Sequence, residues 1–209
     1  GEEFGWRAAF LICGLPGWAL AGLALGIRDP GRGHYDADAK QTPPSWRQAL
    51  GPLLKNREYV LAVAGYAAVT FASGALADWF APFLQRHHGM SVKESGLYVG
   101  LSAVVGGLAG TTLGGLVADV LKRWTRQPYL ALSGWSMALS AVFAVLAMRL
   151  GSTSATIAML FVAQFFLWFY NGPINALIAN CVPSALRVRA FALSILLIHA
   201  FGDTVSPSI

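Results

Sequence analysis

The chain has 209 residues, 56% of them hydrophobic and 12% charged, with a formal net charge of +5 and a mean hydropathy of +0.55. Soluble globular domains carry about 25% charged residues, so this composition argues against an ordinary water-soluble fold. The basic excess gives no support to nucleic-acid binding, because Lys and Arg flank apolar runs and form no continuous stripe.

The charges cluster, and the clusters leave long neutral gaps. Twenty uncharged residues separate Arg7 from Arg28, nineteen separate Glu58 from Asp78, twenty-four separate Glu94 from Asp119, and twenty-two separate Arg126 from Arg149. Arg149 to Arg187 is uncharged throughout, and after Arg189 only His199 and Asp203 interrupt apolar sequence. A helix needs about 20 apolar residues to cross a hydrocarbon core of about 30 Å. A bilayer offers no water to backbone groups, so such runs must be helical, and the period-two alternation of a membrane barrel is absent. The expected fold is an all-α polytopic membrane protein with six transmembrane helices, near 8–27, 59–84, 94–118, 127–148, 153–180 and 186–209.

Basic residues set the expected orientation, since short cytoplasmic loops retain Lys and Arg. With 28–58 cytoplasmic, that side holds Arg28, Arg32, Lys40, Arg47, Lys55, Arg57, Lys122, Arg123, Arg126, Arg187 and Arg189. The external side holds Arg7, Arg86, Lys93 and Arg149. Cys13 and Cys181 then fall on opposite sides, which argues against a disulfide, and neither has partners at zinc spacing. No signal peptide stands out, and "GEEFGWRAAF" begins like the middle of a protein.

The loop at 28–58 is Gly/Pro/Asp-rich at first, as a linker is. Its second half places Trp46, Leu50, Leu53 and Leu54 opposite Arg47, Gln48 and Lys55. That stripe suits a short helix in the headgroup region, or equally a linker helix packed on the bundle. The third span opens with "SVKE", a capping-box spacing. It carries Gly106, Gly110 and Gly114 four apart, beside a second small row of Gly107, Thr111 and Gly115. Small residues so spaced let helices approach to backbone contact. At its end Gly115, Asp119 and Arg123 share one face and read as a conformational latch or as a simple stop signal.

Polar residues inside the spans are the candidate pathway. In the second span Tyr66, Thr70 and Ser73 align, with Asp78 expected at the outer rim. In the fifth, Gln164, Trp168, Asn171 and Asn175 form one stripe, and Gly172–Pro173 should loosen the helix and free a carbonyl. In the sixth, with the bilayer edge near Ala190, His199 lies about 14 Å in, and Asp203 and Ser206 continue its face. Ionisable groups in a span cost roughly 2.5–3.5 kcal/mol for Asp and normally face a cavity or a partner. A structural tie between helices is the alternative for each group. His87 and His88, adjacent in an outer loop, are poor evidence for metal, and no cofactor is implied. An intramembrane aspartyl protease fails, because Asp36 sits in the loop and Ala200 replaces the first glycine of a Gly-x-Gly-Asp motif.

"GLVADVLKR" between two spans resembles the cytoplasmic signature of major facilitator transporters, with Val120 where that signature often has Arg. "GWRAAFLICGLPGWALAGLALGIRDPGRG" resembles the family's sixth helix. "GYAAVTFASGALADWFAPFLQR", "NGPINALI" and "VPSALRVRAFALSILLIHAFGDTVSP" resemble its spinster-like branch, whose eleventh helix reads His-x-x-Gly-Asp followed by Ser-Pro. The resemblance implies a fragment, helices six to eleven of twelve. Residues 1–27 would be the last helix of the N-terminal half, 28–58 the central cytoplasmic loop, and 59–209 helices seven to eleven, ending before helix twelve. It implies no enzyme but a multi-pass protein of the cell membrane, a bacterial inner membrane by expectation, working by alternating access. Its partners would be membrane lipids, the other half of the polypeptide, and an amphipathic lipid or related small-molecule substrate, moved with protons. A branch carrying small organic anions, or a receptor-like protein keeping the fold, are the alternatives.

Overall fold

The computed structural model describes residues 5–27, 44–125 and 127–204, so Arg28, Arg32, Lys40, Arg126 and Ser206 lie outside the described residues. Their contacts divide the chain into two units, Gly1–Gln41 and Thr42–Ile209. In the first, α1 (Gly5–Ala24) is a 20-residue apolar helix with Pro16 inside it, long enough for about 30 Å. Pro16 has no N–H to offer the carbonyl four residues earlier, so one ladder bond is missing there.

The second unit holds α2 (Trp46–Lys55), α3 (Arg57–His88), α4 (Val92–Leu121), α5 (Pro128–Arg149), α6 (Thr153–Trp168), α7 (Asn171–Asn180) and α8 (Arg187–Ile198). A 3₁₀ turn, Ser184–Leu186, precedes α8, and a π-helical turn, His199–Asp203, follows it. Five segments are long and apolar enough to cross a membrane: Arg57–His88, Val92–Leu121, Pro128–Arg149, Thr153–Asn180 and Ser184–Gly202. They match five of the six expected spans, and α1 occupies the place of the first. The protein is an all-α, multi-pass membrane protein.

Local chemistry explains the helix ends. The Asn56 side chain caps α3, accepting from the Tyr59 N–H at 3.2 Å. Gly89, at φ 64°, ends it in the left-handed conformation that glycine adopts without strain. The expected capping box opens α4: the Glu94 N–H donates to Ser91 Oγ at 3.2 Å, and the Ser91 N–H to Glu94 Oε2 at 3.0 Å. Pro128 starts α5, where its missing donor costs nothing.

The interior is mostly apolar, as in a water-soluble bundle, but large apolar side chains also cover the outside. Leu108 and Trp135 are each 71% exposed, whereas Ser102, Ser136, Ser140 and Ser194 are buried. Ser102, Ser136 and Ser194 bond carbonyls of their own helices. Ser140 instead donates across to the Ala163 carbonyl at 2.9 Å. Outward apolar residues suit a lipid solvent, and small polar residues suit helix–helix contact. The glycine row does what its spacing predicts. A β-carbon at Gly106 would stand 2.9 Å from the Gln164 backbone, and one at Gly110 or Gly114 would collide with the Phe165 or Phe169 carbonyl. Backbone meets backbone along the α4–α6 seam.

Both readings of α2 have a structural counterpart. Ala49 and Leu53 are fully buried against the bundle, while Trp46 (49% exposed), Leu50 and Leu54 remain exposed on the outer side. Leu53 is therefore the member of that stripe that packs inward. The helix packs inward on one apolar face and keeps a second.

The unit has two chemically distinct ends. Asn56 Nδ2 donates to the Cys181 carbonyl at 2.6 Å, joining the α2–α3 junction to the α7–α8 turn. This end carries Arg47, Lys55, Arg57, Lys122, Arg123, Arg187 and Arg189. The other end is tied by Gln85 Nε2 donating to Ser95 Oγ at 2.9 Å and by His88 Nδ1 beside Thr153 Oγ1 at 3.3 Å. It carries Arg86, Lys93 and Arg149.

Candidate functional site

The span expected as one helix over 153–180 is broken. α6 stops at Trp168, Phe169 and Tyr170 form a turn, and α7 starts at Asn171. Pro173 cannot donate to the Phe169 carbonyl. That oxygen instead lies against Gly114, where only a glycine leaves room for it. The next freed carbonyl, of Trp168, faces the Thr111 hydroxyl at a long 3.5 Å. Membrane interiors tolerate such irregular backbone only where protein or a cavity takes up the freed groups, and α4 supplies part of that cover.

Around the break the two small and polar rows seen in the sequence meet. The Trp168 ring lies 3.7 Å from a β-carbon position on Gly107, and Gly172 lies 3.3 Å from Gly115 by the same measure. Trp168 Nε1 is buried with no acceptor among the described residues. Asn175 Nδ2 donates to the Asn171 carbonyl at 2.8 Å and to its Oδ1 at 3.0 Å, so the two amides form one polar unit. Gln164 does not join them: it is 4% exposed and packs under Gly106. The stripe is thus interrupted, because the helix that would carry it bends at Phe169–Tyr170.

Tyr66 on α3 meets Tyr170 edge-on, ring centroids 5.4 Å apart, which brings α3 to the break. Thr70, 9% exposed, donates to the Tyr66 carbonyl at 2.9 Å, and Ser73 donates to the Thr70 carbonyl at 2.9 Å. Beside Thr70 sits Gly202, whose β-carbon would come within 2.8 Å of Thr70 Cβ. The π-turn is thereby held on the middle of α3. His199 opens that turn and is exposed. Its carbonyl accepts from the Thr204 N–H at 3.1 Å and from Thr204 Oγ1 at 2.9 Å. Asp203 closes the turn, and its side chain lies outside the described residues. The sequence alone suggests a continuous α-helix here, and the i→i+5 bond from Thr204 corrects that. Single π-turns inside α-helices are rare and collect at functional sites. One signal in the sequence could have pointed to it, the glycine inside an otherwise helical run.

At the basic end Asp119 pairs with Lys122 at 2.6 Å, and that bond holds the Lys122 ammonium above the usual lysine range. Asp119 therefore engages Lys122, not Arg123. Asp78 is exposed but lies well inside α3, almost three turns before its His88 end.

The family model described as Major Facilitator Superfamily matches residues 1–207. The chain belongs to the Major Facilitator Superfamily. Within it, the chain is 27% identical over 213 residues to Protein spinster of Drosophila melanogaster, covering 97% of this chain and 35% of that one. It is 30% identical over 154 residues to the Probable sphingolipid transporter spinster homolog 2 of Arabidopsis thaliana, covering 74% of this chain and 31% of that one. Against Protein spinster homolog 1 of Homo sapiens the identity is 29% over 220 residues, covering 97% and 42%. This major facilitator chain thus spans less than half the length of these curated relatives. Among solved structures it resembles a bacterial homolog to the human lysosomal transporter spinster, in an inward-facing and unoccupied conformation. The TM-score is 0.71 and the identity 25%, over 97% of this chain and 43% of that one.

Proposed function

We propose that this chain forms part of a secondary active transporter, not an enzyme, that moves amphipathic lipids or related small organic molecules by alternating access with protons. Residues 1–27 supply the last helix of the N-terminal half, 28–58 the central cytoplasmic loop, and 59–209 helices seven to eleven of twelve. The carrying observation is that two irregular helix segments, the α6–α7 break and the His199–Asp203 π-turn, both rest on the Tyr66–Thr70 stretch of α3. Transporters place substrate and coupling ions at such discontinuous helices near the midplane.

Trp168, Asn171 and Asn175 offer apolar surface and amide groups to an amphipathic substrate, and Tyr66 adds an aromatic edge. His199 and Asp203 belong to the substrate or proton pathway, and Gly115, Asp119 and Arg123 serve the change between conformations. The spinster-like relatives and the name of the sphingolipid transporter homolog support the lipid class.

The test is uptake of a labelled lysophospholipid by liposomes holding the full-length protein, measured against external pH. Asp203→Asn keeps shape but cannot titrate. A flattened pH profile at normal folding supports the reading. Full activity with an unchanged profile would leave the His199–Asp203 turn a structural feature only.

A further inference from the structure

A cleft between α3 and α5 lies at the end of the bundle opposite the basic one, and it shares no residue with the α6–α7 break or the π-turn. Its volume is about 460 Å³, and Ala75, Trp79, Phe83, Arg86 and His87 of α3 and Met148 of α5 are among the residues lining it. All of α3 and α5 lies within the described residues. We infer that this cleft holds an anionic glycerophospholipid of the adjoining leaflet as a resident ligand, not as transported substrate. Its phosphate rests on Arg86 and His87, and one acyl chain follows α3 inward.

The shape fits one leaflet. Ala75, Trp79, Pro82 and Arg86 recur at helical spacing and share one face of α3. Ala75 to Arg86 is a rise of about 16 Å, close to half of a hydrocarbon core of about 30 Å. The groove therefore starts at headgroup level and ends near the midplane, as an acyl chain does.

The charges select an anion. Arg86 is exposed and forms no ion pair with a described residue. His87 lies tilted over the Phe83 ring, centroids 4.9 Å apart, which holds the imidazole at the mouth of the cleft. His88 meets the same ring edge-on and is engaged by Thr153. No carboxylate lines the cleft. Glu94, at the same end, is taken up by the Ser91 N–H at 3.0 Å and the Ser91 hydroxyl at 2.8 Å. Guanidinium grips phosphate oxygens through paired N–H donors, and an imidazole N–H adds another. The ammonium of a choline or ethanolamine headgroup would meet the same cation and find no acceptor.

The walls suit an acyl chain. Trp79 is 51% exposed beside the buried Phe80, and Phe80 meets Phe83 edge-on at 5.6 Å. Met148 is unbranched and adapts to an irregular apolar surface. An arginine near a helix end lays its stem along such a surface and keeps its charge at the headgroups.

The experiment photolabels the full-length protein in nanodiscs with phosphatidylglycerol or phosphatidylcholine that carries a diazirine midway along one chain. Adducts are mapped by peptide mass spectrometry and scaled to those at Trp135, exposed on α5. Phosphatidylglycerol should label Ala75–Phe83 and Met148 roughly tenfold more than phosphatidylcholine does, a difference of about 1.4 kcal/mol. Arg86→Gln should erase that preference, and Arg86→Lys should keep part of it. Lys93→Gln removes the same charge from the same end without touching the cleft, and should label as wild type. Equal labelling by the two lipids would overturn the inference, as would a preference that survives Arg86→Gln or falls equally in Lys93→Gln. An absence of adducts in the cleft would overturn it too, and is the result if another segment of the full-length protein fills the groove. Displacement of the labelled lipid by equimolar, water-soluble glycerophosphoglycerol would overturn the bilayer source.

Discussion

Gly202 rests on Thr70 so closely that a β-carbon would lie 2.8 Å from Thr70 Cβ and 3.0 Å from the Ala67 carbonyl oxygen. The contact fixes the π-turn to α3 without any side chain on the glycine. Gly202→Val should therefore lower stability by about 1–3 kcal/mol, the cost of overpacking a filled contact. Thermal unfolding in detergent checks it. A variant as stable as wild type would mean that the turn is held by something other than this contact.

The glycines of α4 are not equivalent. Gly114 faces the Phe169 carbonyl with no room for a methyl group, whereas Gly96 has nothing within 4 Å of its β-carbon position. Gly114→Ala is expected to destabilise by about 1–3 kcal/mol as the seam is pushed apart. Gly96→Ala, in the same helix, should stabilise by roughly 0.5–1 kcal/mol through lower backbone entropy in the unfolded chain. Parallel melting curves of the two variants read this difference, and equal shifts would refute it.

Cys181 provides a pH-dependent readout. Burial pushes its thiol above the usual range, so the reactive thiolate forms at higher pH than in an exposed cysteine. In a Cys13→Ala background, maleimide labelling should be slow at neutral pH and should accelerate only above the pH at which a free thiol does. Asn56→Ala removes the bond to the Cys181 carbonyl and should raise the neutral-pH rate by loosening the turn.

A background that also carries Cys181→Ala, and so has no cysteine, tests sidedness. The basic asymmetry between the two ends predicts that Lys55→Cys labels from the cytoplasmic side and His88→Cys from the external side. An impermeant reagent applied to sealed vesicles distinguishes them, and labelling from one side only would overturn the orientation.

Spans, caps and the α4 seam were legible because each rests on a local signal: charge-free length, Ser91 with Glu94 three residues on, and glycines every four residues. The Gly172–Pro173 pair announced that the helix would loosen, but not that it would divide at Phe169–Tyr170. That location depends on Gly114 receiving a carbonyl, a tertiary fact. Gln164 was placed with Asn171 and Asn175 by counting along a straight helix, and the bend removes it from their surface. The stripe of Trp46, Leu50, Leu53 and Leu54 left α2 between the headgroup region and the bundle, and burial of the Ala49–Leu53 edge divides it between the two. Asn56, which bonds the Cys181 carbonyl from 125 positions away, left no trace in the local sequence.

The π-turn at His199–Asp203 also shifts the helical phase at the end of the last described span. An α-helix advances about 100° per residue, and a turn closed i→i+5 holds one residue more than the α ladder does. Thr204 and the residues before Ile198 therefore cannot be drawn on one helical wheel. A cross-link or paired substitution that joins Thr204 to a residue before Ile198 should be placed from the shifted phase. An uninterrupted count across the turn would aim the second probe about a quarter-turn away from its intended neighbour.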